Sequence, residues 1–336
     1  NKLMYKCTIT VEDEVRALIG GLRPEHATLL WDQFGIYVDG YRFIPAVQFR
    51  RWDGKNRYFE ESGRTYTRLL DEIIPYLDKW GYAIDLVDKR LELKPIIGEC
   101  TADFFGLADF KFRDYQIDSA NKLLANGGGF GILATGAGKT SVCAVMAMIL
   151  YANGVQTIII VPSTDLVNQT ADEFREKYIN FDVTIGTYSG DAKDIHHPIV
   201  VATWQSLQNA PHHMAGFGAV IVDEAHGAKA NVIKQLINEH GKHIAYRWGV
   251  TGTWPKSIDD QYSLKCSIGQ PVCEVSAAFL IDRGYLSSIE VECIETQESE
   301  EDFPDYSSEK SFLSKHDDRA QAIADEIMQA RDRHGN

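Results

Sequence analysis

A loop of small residues between an apolar run and a helical pattern constrains the fold of this 336-residue chain most strongly. The run Phe130–Leu133 has the length of a short buried strand, and Lys139–Ala152 has helical spacing up to Asn153-Gly154. The loop between them ends in Gly138-Lys139-Thr140. Small residues let backbone N–H groups surround a phosphate, and the following helix N-terminus adds a favourable dipole. We therefore predict an α/β fold, a P-loop parallel sheet with helices on both faces.

The loop residues have distinct predicted roles. Lys139 is expected to meet the β- and γ-phosphates of ATP, and Thr140 to hold Mg²⁺. Leu133 stands where the usual GxxxxGK[ST] pattern has its first glycine, but strand, loop and helix follow in the required order. The predicted cofactor-binding residues of the loop are Thr135, Gly136, Ala137, Gly138, Lys139, Thr140 and Ser141. The alternative is a glycine-rich turn without a ligand.

An acidic pair gives the second signal. Asp223 and Glu224 end the apolar run at 219–222, and carboxyl ends of parallel strands face one crevice. Asp223 would bind Mg²⁺ through water, and Glu224 would polarise the attacking water. With Lys139, these two residues form the predicted catalytic set.

The rest of the chain divides by pattern. We expect a small α+β domain at 1–95, a linker at 96–110, the parallel-sheet domain at 111–290, and an acidic loop with a linker helix at 291–336. Within the first domain we expect strands at 2–10, 36–43 and 83–87 and helices at 12–20, 24–34 and 66–80. The second should hold a helix at 166–178 and strands at 155–161, 182–187, 198–203, 218–223 and 244–250. Apolar runs are too short to cross a bilayer, and no signal peptide is visible, which predicts a cytoplasmic protein, in the host cytoplasm if it is phage-encoded. The six scattered cysteines favour reduced thiols over a zinc site.

The acidic pair continues as Asp223-Glu224-Ala225-His226, and with the phosphate loop it resembles the DEAH-type superfamily 2 helicases. Phe112-Arg113-Asp114-Tyr115-Gln116 is similar to the Q-motif of the branch containing restriction-enzyme and XPB-like helicases. The resemblance implies a RecA-like, ATP-hydrolysing domain in which Gln116 reads the adenine edge and Arg113 stacks on the base. It also implies that His226 couples the nucleotide site to nucleic acid.

Further motifs follow in the family's order. Val161-Pro162-Ser163-Thr164-Asp165-Leu166 resembles motif Ia, and Val201-Ala202-Thr203-Trp204-Gln205 resembles motif Ic. The resemblance assigns Pro162, Ser163, Thr203 and Gln205 to a single-strand track. Val250-Thr251-Gly252-Thr253 resembles motif III, which implies coupling roles for Thr251 and Thr253.

One family feature is missing. Nothing after Asp282-Arg283-Gly284-Tyr285-Leu286 resembles the QxxGRxxR segment of a second RecA-like domain, which supplies arginine fingers in a complete helicase. We therefore expect a fragment that hydrolyses ATP weakly or not at all, with Phe312–Arg333 as a helix leading to the missing domain. A natural ATP-gated nucleic-acid-binding module is the alternative.

The N-terminal region carries Asp39-Gly40-Tyr41-Arg42-Phe43 and Trp52-Asp53-Gly54, a pairing that resembles the phage UvsW helicases. Those proteins remodel branched DNA and R-loops, which implies the same substrates here. Residues 49–59 read FRRWDGKNRYF, a cationic and aromatic stretch in a chain of formal charge −14. Asp53-Gly54 signals a hairpin turn, so these side chains are expected to project together. The predicted nucleic-acid-binding residues are Arg42, Arg50, Arg51, Trp52, Lys55 and Arg57. Half-buried strand aromatics with arginines on the solvated face are the alternative.

A nuclease domain is the rival for this region. Glu92-Leu93-Lys94 reads as ExK, with Asp85 and Asp88 upstream, and such groups can surround Mg²⁺ in a restriction-type motor subunit. The expected partners of the chain are branched DNA, R-loops or single-stranded nucleic acid, and other replication or recombination proteins. We expect a monomer with no membrane partner, with ATP and Mg²⁺ as cofactors.

Overall fold

The computed structural model describes residues 5–178, 183–224, 234–287, 303 and 305–334. These belong to two compact units, Asn1–Leu286 and Ser287–Asn336. In the described part, no helix is both long and apolar enough to cross a membrane. The domain boundaries drawn from the sequence stay a prediction.

The first region folds around a small sheet. Its elements in chain order are β1 (Tyr5–Val11), β2 (Arg16–Gly20), a helix Pro24–Gln33, β3 (Gly35–Tyr37), a short helix Pro45–Gln48, β4 (Lys55–Arg57), β5 (Arg64–Tyr66), a helix Leu70–Lys79 and β6 (Tyr82–Asp88). Four strands form a sheet in the order β5-β2-β1-β6, in which β1 and β6 are parallel and the other pairs antiparallel. The strands β3 and β4 pair separately as an antiparallel ribbon.

The predicted helix at 12–20 is wrong. Residues Arg16–Gly20 form β2, with Thr10 of β1 opposite Leu18. Val15, Ala17 and Ile19 are buried while the residues between them are more open, which is the period-two alternation of a strand with one face on a core.

The predicted Asp53-Gly54 hairpin is also wrong. The partner of β4 is β3, so residues 38–54 form one long connection that holds the 3₁₀ turn Tyr41–Phe43 and the helix Pro45–Gln48. The expected strand at 36–43 therefore ends at Tyr37. Gly54 has a left-handed backbone with φ of +82°, and a Cβ there would lie 2.6 Å from the Tyr41 ring, so both features favour glycine.

A larger sheet dominates the second region, as predicted. Its strands are β7 (Gly128–Leu133), β8 (Thr157–Val161), β9 (Ile185–Ser189), β10 (Ala192–Lys193), β11 (Ile199–Thr203), β12 (Ala219–Asp223), β13 (Tyr246–Thr251) and β14 (Pro271–Val275). They lie in the order β10-β9-β11-β8-β12-β13-β7-β14, and only the β10–β9 pair is antiparallel among these described strands. Among the described residues, the α-helices of this region include Asp114–Asn126, Lys139–Ala152, Thr164–Glu173, Trp204–Asn209, Ile258–Ser267 and Ala277–Asp282.

The sheet is covered on both faces. In β8, Ile159 and Val161 pack into one core cluster while Ile158 and Ile160 pack into another on the opposite face. This explains the uninterrupted β-branched run of the strand, because alternate side chains both meet apolar layers. The predicted RecA-like α/β fold is confirmed.

The helix Ile258–Ser267 joins the two sheets. The Asp259 carboxylate accepts hydrogen bonds from Asn56 Nδ2 at 2.9 and 3.1 Å and from Tyr58 Oη at 2.8 Å. One turn and a half further on, Lys265 Nζ lies 2.9 Å from an Asp71 oxygen and 2.5 Å from a Glu72 oxygen. Cys266 belongs to the core of the small sheet. This helix is therefore shared between the two regions.

The second unit contains helices at Tyr306–Lys315 and Asp317–His334. The prediction of one helix over 312–333 is wrong, because His316 has an extended backbone that interrupts it.

Candidate functional site

The phosphate loop connects the end of β7 to the helix Lys139–Ala152. Gly136 and Gly138 have φ of +81° and +82°, values that side-chain-bearing residues rarely adopt. A Cβ at Gly138 would also lie 2.3 Å from Gln116 Nε2. The positive φ and the nearby Gln116 amide both favour glycine at position 138, where the loop turns into the helix.

Two side chains of the Asp114–Asn126 helix hold this loop. Gln116 Nε2 donates to the Ala137 carbonyl at 2.9 Å, and Tyr115 Oη donates to the same oxygen at 3.2 Å. Gln116 Oε1 accepts from the Arg113 backbone N–H at 3.0 Å. The buried Gln116 amide thus ties the start of its helix to the phosphate loop, a role that the sequence did not predict.

The segment 283–286 covers the same region. The Arg113 guanidinium lies 4.2 Å from the centre of the Tyr285 ring, and a Cβ at Gly136 would meet Leu286 at 2.7 Å. Arg283 Nη1 donates to Asp114 at 2.5 Å, and this hydrogen bond lowers the pKa of that carboxyl. The contribution of Tyr285 and Leu286 has no local sequence signal, because they lie far along the chain from the loop.

Carboxylate, cation and hydroxyl meet at the carboxyl edge of three neighbouring strands. Lys139 Nζ lies 3.1 Å from Glu224 Oε1, and Thr251 Oγ1 donates to Glu224 Oε2 at 3.4 Å. Thr251 Oγ1 also lies 3.0 Å from the Thr253 carbonyl. Because β12 and β13 are adjacent and β7 is next to β13, the strand ends bring these residues together.

Glu224 has an unusual backbone. Its φ is +54°, a left-handed value shared by one other non-glycine residue of the described chain, Arg50. Its N–H donates to the Val250 carbonyl at 2.9 Å, which holds it against β13. Such strain is tolerated where the surroundings fix it and concentrates at functional positions.

The residues present fit a Mg²⁺–nucleotide complex. A Cβ at Gly252 would lie 3.6 Å from Lys139 Nζ and 3.7 Å from Thr135 Oγ1, so a cation and a hydroxyl border one narrow space. Thr140 and Ser141 begin the helix beside it, and Asp223 ends β12 at the same edge. Thr140 and Asp223 would hold the metal, and Mg²⁺ would neutralise phosphate charge there.

The predicted track residues lie at the carboxyl ends of two paired strands. Thr203 is the last residue of β11, opposite Val161 of β8, and Ser163 lies two residues beyond Val161. Ser163 and Thr203 are each the N-cap of the next helix, and each side-chain oxygen accepts a backbone N–H, from Leu166 and Ser206 respectively. The Thr203 side chain is buried, which does not fit direct contact with nucleic acid. Pro162 is half-buried and Gln205 is exposed at the same edge. His226 lies outside the described residues.

The predicted N-terminal patch separates into two groups. Lys55 Nζ pairs with Asp32 at 3.0 Å, and Arg57 pairs with Asp53 while its guanidinium lies 3.8 Å from the Trp31 ring centre. Arg42, Arg50 and Arg51 are exposed and form no ion pair with the described residues.

Trp52 is half-buried, and its Nε1 donates to the Lys55 carbonyl at 3.0 Å. Tyr58 is buried. The exposed aromatic rings of this stretch are instead Phe49 and, just before it, Phe43.

The residues of the rival nuclease interpretation have other partners or lie open to solvent. Asp88 pairs with Arg90, Glu92 is exposed, and Lys94 offers its carbonyl to Tyr246 Oη at 2.7 Å. Among the residues that the structure describes, no group of three or more His, Cys, Asp or Glu side chains could hold a metal ion.

The parallel sheet, the glycine-bounded phosphate loop and the Lys139–Glu224 pair define a RecA-like P-loop nucleotide-binding domain. Residues 109–256 match the family model described as the type III restriction enzyme res subunit. The sequence is 26% identical over 280 residues to the ATP-dependent DNA helicase uvsW of Enterobacteria phage T4, a match that covers 79% of this chain and 55% of that protein. It is 31% identical over 158 residues to the DNA 3'-5' translocase XPB2 of Sulfurisphaera tokodaii, covering 46% of this chain and 33% of the relative.

Solved structures give the same result for the fold. A crystal structure of the UvsW helicase from bacteriophage T4 superposes with a TM-score of 0.65 at 23% identity, covering 80% of this chain and 99% of that one. Together, the matches confirm the predicted resemblance to the superfamily 2 helicases and, within them, to UvsW. The chain spans about half the length of the phage relative.

Proposed function

We propose that this chain is the ATP-binding part of an ATP-dependent DNA helicase or translocase that remodels branched DNA and R-loops in phage replication, recombination and repair. The observation that carries the proposal is the meeting of Lys139, Glu224 and Thr251 at the carboxyl edge of the large sheet. The names of the similar proteins, a DNA helicase and a DNA translocase, support the substrate class.

The geometry suggests how these residues act. Lys139 is held by Glu224, so a bound nucleotide must draw the ammonium group onto its phosphates. Glu224 is then released to orient and polarise a water molecule, the usual role of a carboxylate at this place. The single hydroxyl proton of Thr251 lies within reach of two acceptors, Glu224 Oε2 at 3.4 Å and the Thr253 carbonyl at 3.0 Å. Movement of Glu224 would shift this hydrogen bond toward Thr253, in the segment that follows β13.

The adenine end is proposed to lie near Arg113 and Gln116. Gln116 is fully used in fixing the loop, so it would sense the base only through an exchange of these hydrogen bonds. Arg113 rests on Tyr285 and could turn its other face to a base.

Nucleic acid is proposed to cross the carboxyl edge over Pro162, Ser163, Thr203 and Gln205. The Ser163 hydroxyl, the exposed Gln205 side chain and the amides at the start of each following helix would meet phosphate there rather than cations, while the buried Thr203 side chain would fix the turn at the end of β11. Phosphate binding by such groups accounts for a motor within a chain of charge −14.

The experiment is to measure ATP hydrolysis by the full native protein with forked DNA, R-loops, single strands, duplex DNA and RNA, with Lys139→Ala as control. Stimulation by forks or R-loops above duplex, lost in the control, supports the proposal. Stimulation by RNA alone, or none by any nucleic acid, would contradict it.

A further inference from the structure

The segment 40–52 of the N-terminal region carries an exposed surface that the ATP site does not explain. Its 3₁₀ turn Tyr41–Phe43 and helix Pro45–Gln48 place Phe43 and Phe49 in solvent, 82% and 70% exposed. Large apolar rings this open contribute nothing to a core. We call residues 40–52 the knuckle.

The charge of the knuckle is opposite to that of the chain. It contains Arg42, Arg50 and Arg51 and no acidic residue, against a formal charge of −14 for the whole protein. Of the nearby carboxylates, Asp53 pairs with Arg57 and Asp32 with Lys55, whereas Asp39, directly before the knuckle, is exposed. Arg42 Nε donates to Tyr41 Oη at 3.3 Å, and the Arg51 guanidinium lies 5.8 Å from the centre of the Phe49 ring. The three arginines form no ion pair with the described residues and are exposed to an anionic partner.

The knuckle is held together by its own hydrogen bonds and ring contacts. The Tyr37 and Tyr41 rings stack at 4.4 Å, the Val38 N–H donates to the Gly54 carbonyl at 2.9 Å, and the Ala46 carbonyl accepts from the Arg51 and Trp52 N–H groups at 2.8 and 3.2 Å. Arg50 is held at φ of +55° between these bonds. A surface so fixed loses little conformational freedom when a partner binds.

We infer that the knuckle binds nucleic acid that presents unpaired bases beside its phosphates, with Phe43 and Phe49 as the stacking residues and Arg42, Arg50 and Arg51 as the phosphate ligands. Ring faces need free base faces, which a continuous duplex keeps stacked inside, so the preferred ligand is a junction or single-stranded arm. The inference rests on the proposed function and names its recognition surface. The sequence prediction assigned Trp52, Lys55 and Arg57 to nucleic-acid binding as well. Here Phe43 and Phe49 supply the aromatic rings instead, and Arg42, Arg50 and Arg51 alone bind phosphate.

An anionic membrane is the competing partner, since it also offers negative charge and an apolar layer. Arginine favours the nucleic-acid alternative because its planar fork matches phosphate and stacks on bases. The helix is only one turn long, whereas interfacial helices bury a long apolar face.

The test compares variants of the 336-residue chain by fluorescence anisotropy on a forked DNA and on a fully paired duplex of equal length. Phe43→Leu with Phe49→Leu should weaken fork binding by about tenfold or more while changing duplex binding less than about twofold. Arg50→Gly with Arg51→Gln should weaken both, and should lower the slope of log affinity against log salt by about 1.5–2. Glycine at position 50 suits the left-handed backbone, so a loss there is not a folding defect.

Two controls match these variants. Trp52→Phe keeps a ring but removes its indole donor, and Arg64→Gln removes an exposed arginine of β5 outside the knuckle. Both should bind the fork like the parent chain, and urea unfolding should verify that every variant is folded.

Fork binding that survives the Phe43 and Phe49 changes, or falls equally with duplex binding, overturns the inference. Variants that keep fork binding but lose binding to phosphatidylserine vesicles would assign the knuckle to a membrane. DNA-stimulated ATP hydrolysis that is insensitive to the knuckle leaves the proposed function standing without the inference. If the knuckle binds the fork but no nucleic acid stimulates ATP hydrolysis, the inference stands and the proposed function fails.

Discussion

Replacing Glu224 by Gln separates two roles of one carboxylate. Glu224 Oε1 lies 3.1 Å from Lys139 Nζ, and the two side chains are 29% and 15% exposed. The substitution keeps the shape but removes the charge that holds the lysine. We expect Glu224→Gln to bind ATP more tightly and to hydrolyse it far more slowly.

The size of the effect follows from the burial of the pair. Exposed ion pairs contribute about 0–1 kcal/mol, and breaking a buried pair costs about 3–5 kcal/mol. The Lys139–Glu224 pair is partly exposed, so its strength should lie between these limits. Breaking it when Lys139 moves to the phosphates should therefore weaken ATP binding by about 1–2 kcal/mol. At about 1.4 kcal/mol per factor of ten, ATP affinity should rise about 5- to 30-fold. Loss of the group that polarises water should lower turnover by about 10²–10⁴.

Binding of a fluorescent non-hydrolysable ATP analogue with Mg²⁺, together with single-turnover hydrolysis, measures both quantities. Lys139→Ala should weaken binding of the analogue, so the two substitutions in one ion pair should change the affinity in opposite directions. Glu173→Gln, whose half-buried carboxylate pairs with Lys177 outside the site, is the matched control and should change neither quantity. If Glu224→Gln binds the analogue as poorly as Lys139→Ala does, the carboxylate supports nucleotide binding, and the exchange of partners by Lys139 is refuted.

Three further changes test the phosphate loop and the helix Ile258–Ser267. Gly138→Ala should abolish ATP binding and lower the midpoint of thermal unfolding, because φ is +82° and the new methyl group would strike Gln116; equal analogue binding by the variant would contradict this. Tyr58→Phe should lower the free energy of unfolding by about 1–3 kcal/mol in urea, since the buried Asp259 carboxylate loses a donor; a change below about 0.5 kcal/mol would show that water replaces it. Burial, with the charge of Asp259, raises the pKa of Asp260, so the folded chain favours the neutral acid and this group's contribution to stability is lost as pH rises through that pKa. Asp260→Asn should therefore raise the unfolding midpoint at pH 7 and have little effect near pH 3; a gain independent of pH would point to another cause.

The parts of the fold that were predictable carry their signal locally. The β-branched run of β8 and the Lys139–Ala152 helix are continuous in sequence, and their order around the phosphate loop leaves little freedom. The helix predicted at 12–20 was wrong because the apolar residues of a short segment can match both the helix period of 3.6 and the strand period of 2. Pairing with β1 selects the strand, in which Val15, Ala17 and Ile19 face the core. Strand β14 is as long as β8 but was missed because it begins with Pro271, a residue that argues against a strand interior, and has no continuous β-branched run.

The site shows the same division. Lys139 and Glu224 could be predicted because each lies shortly after a strand that the sequence reveals, β7 for Lys139 and β12 for Glu224. Tyr285 and Leu286 could not, since they reach the loop only through tertiary packing. Trp52, Lys55 and Arg57 look like ligands in a linear reading, yet Asp32, Asp53 and a backbone carbonyl hold them in the folded chain.

The shared helix Ile258–Ser267 affects how the protein can be dissected. A cut near residue 110 would strip Asp259 of Asn56 and Tyr58, leave Lys265 without its carboxylates and open Cys266 to water. A truncated motor made this way would be prone to misfold or aggregate, so its inactivity would say nothing about substrate choice. Point substitutions on the knuckle leave this helix intact, so they can separate the function of the N-terminal region from that of the ATP-binding region.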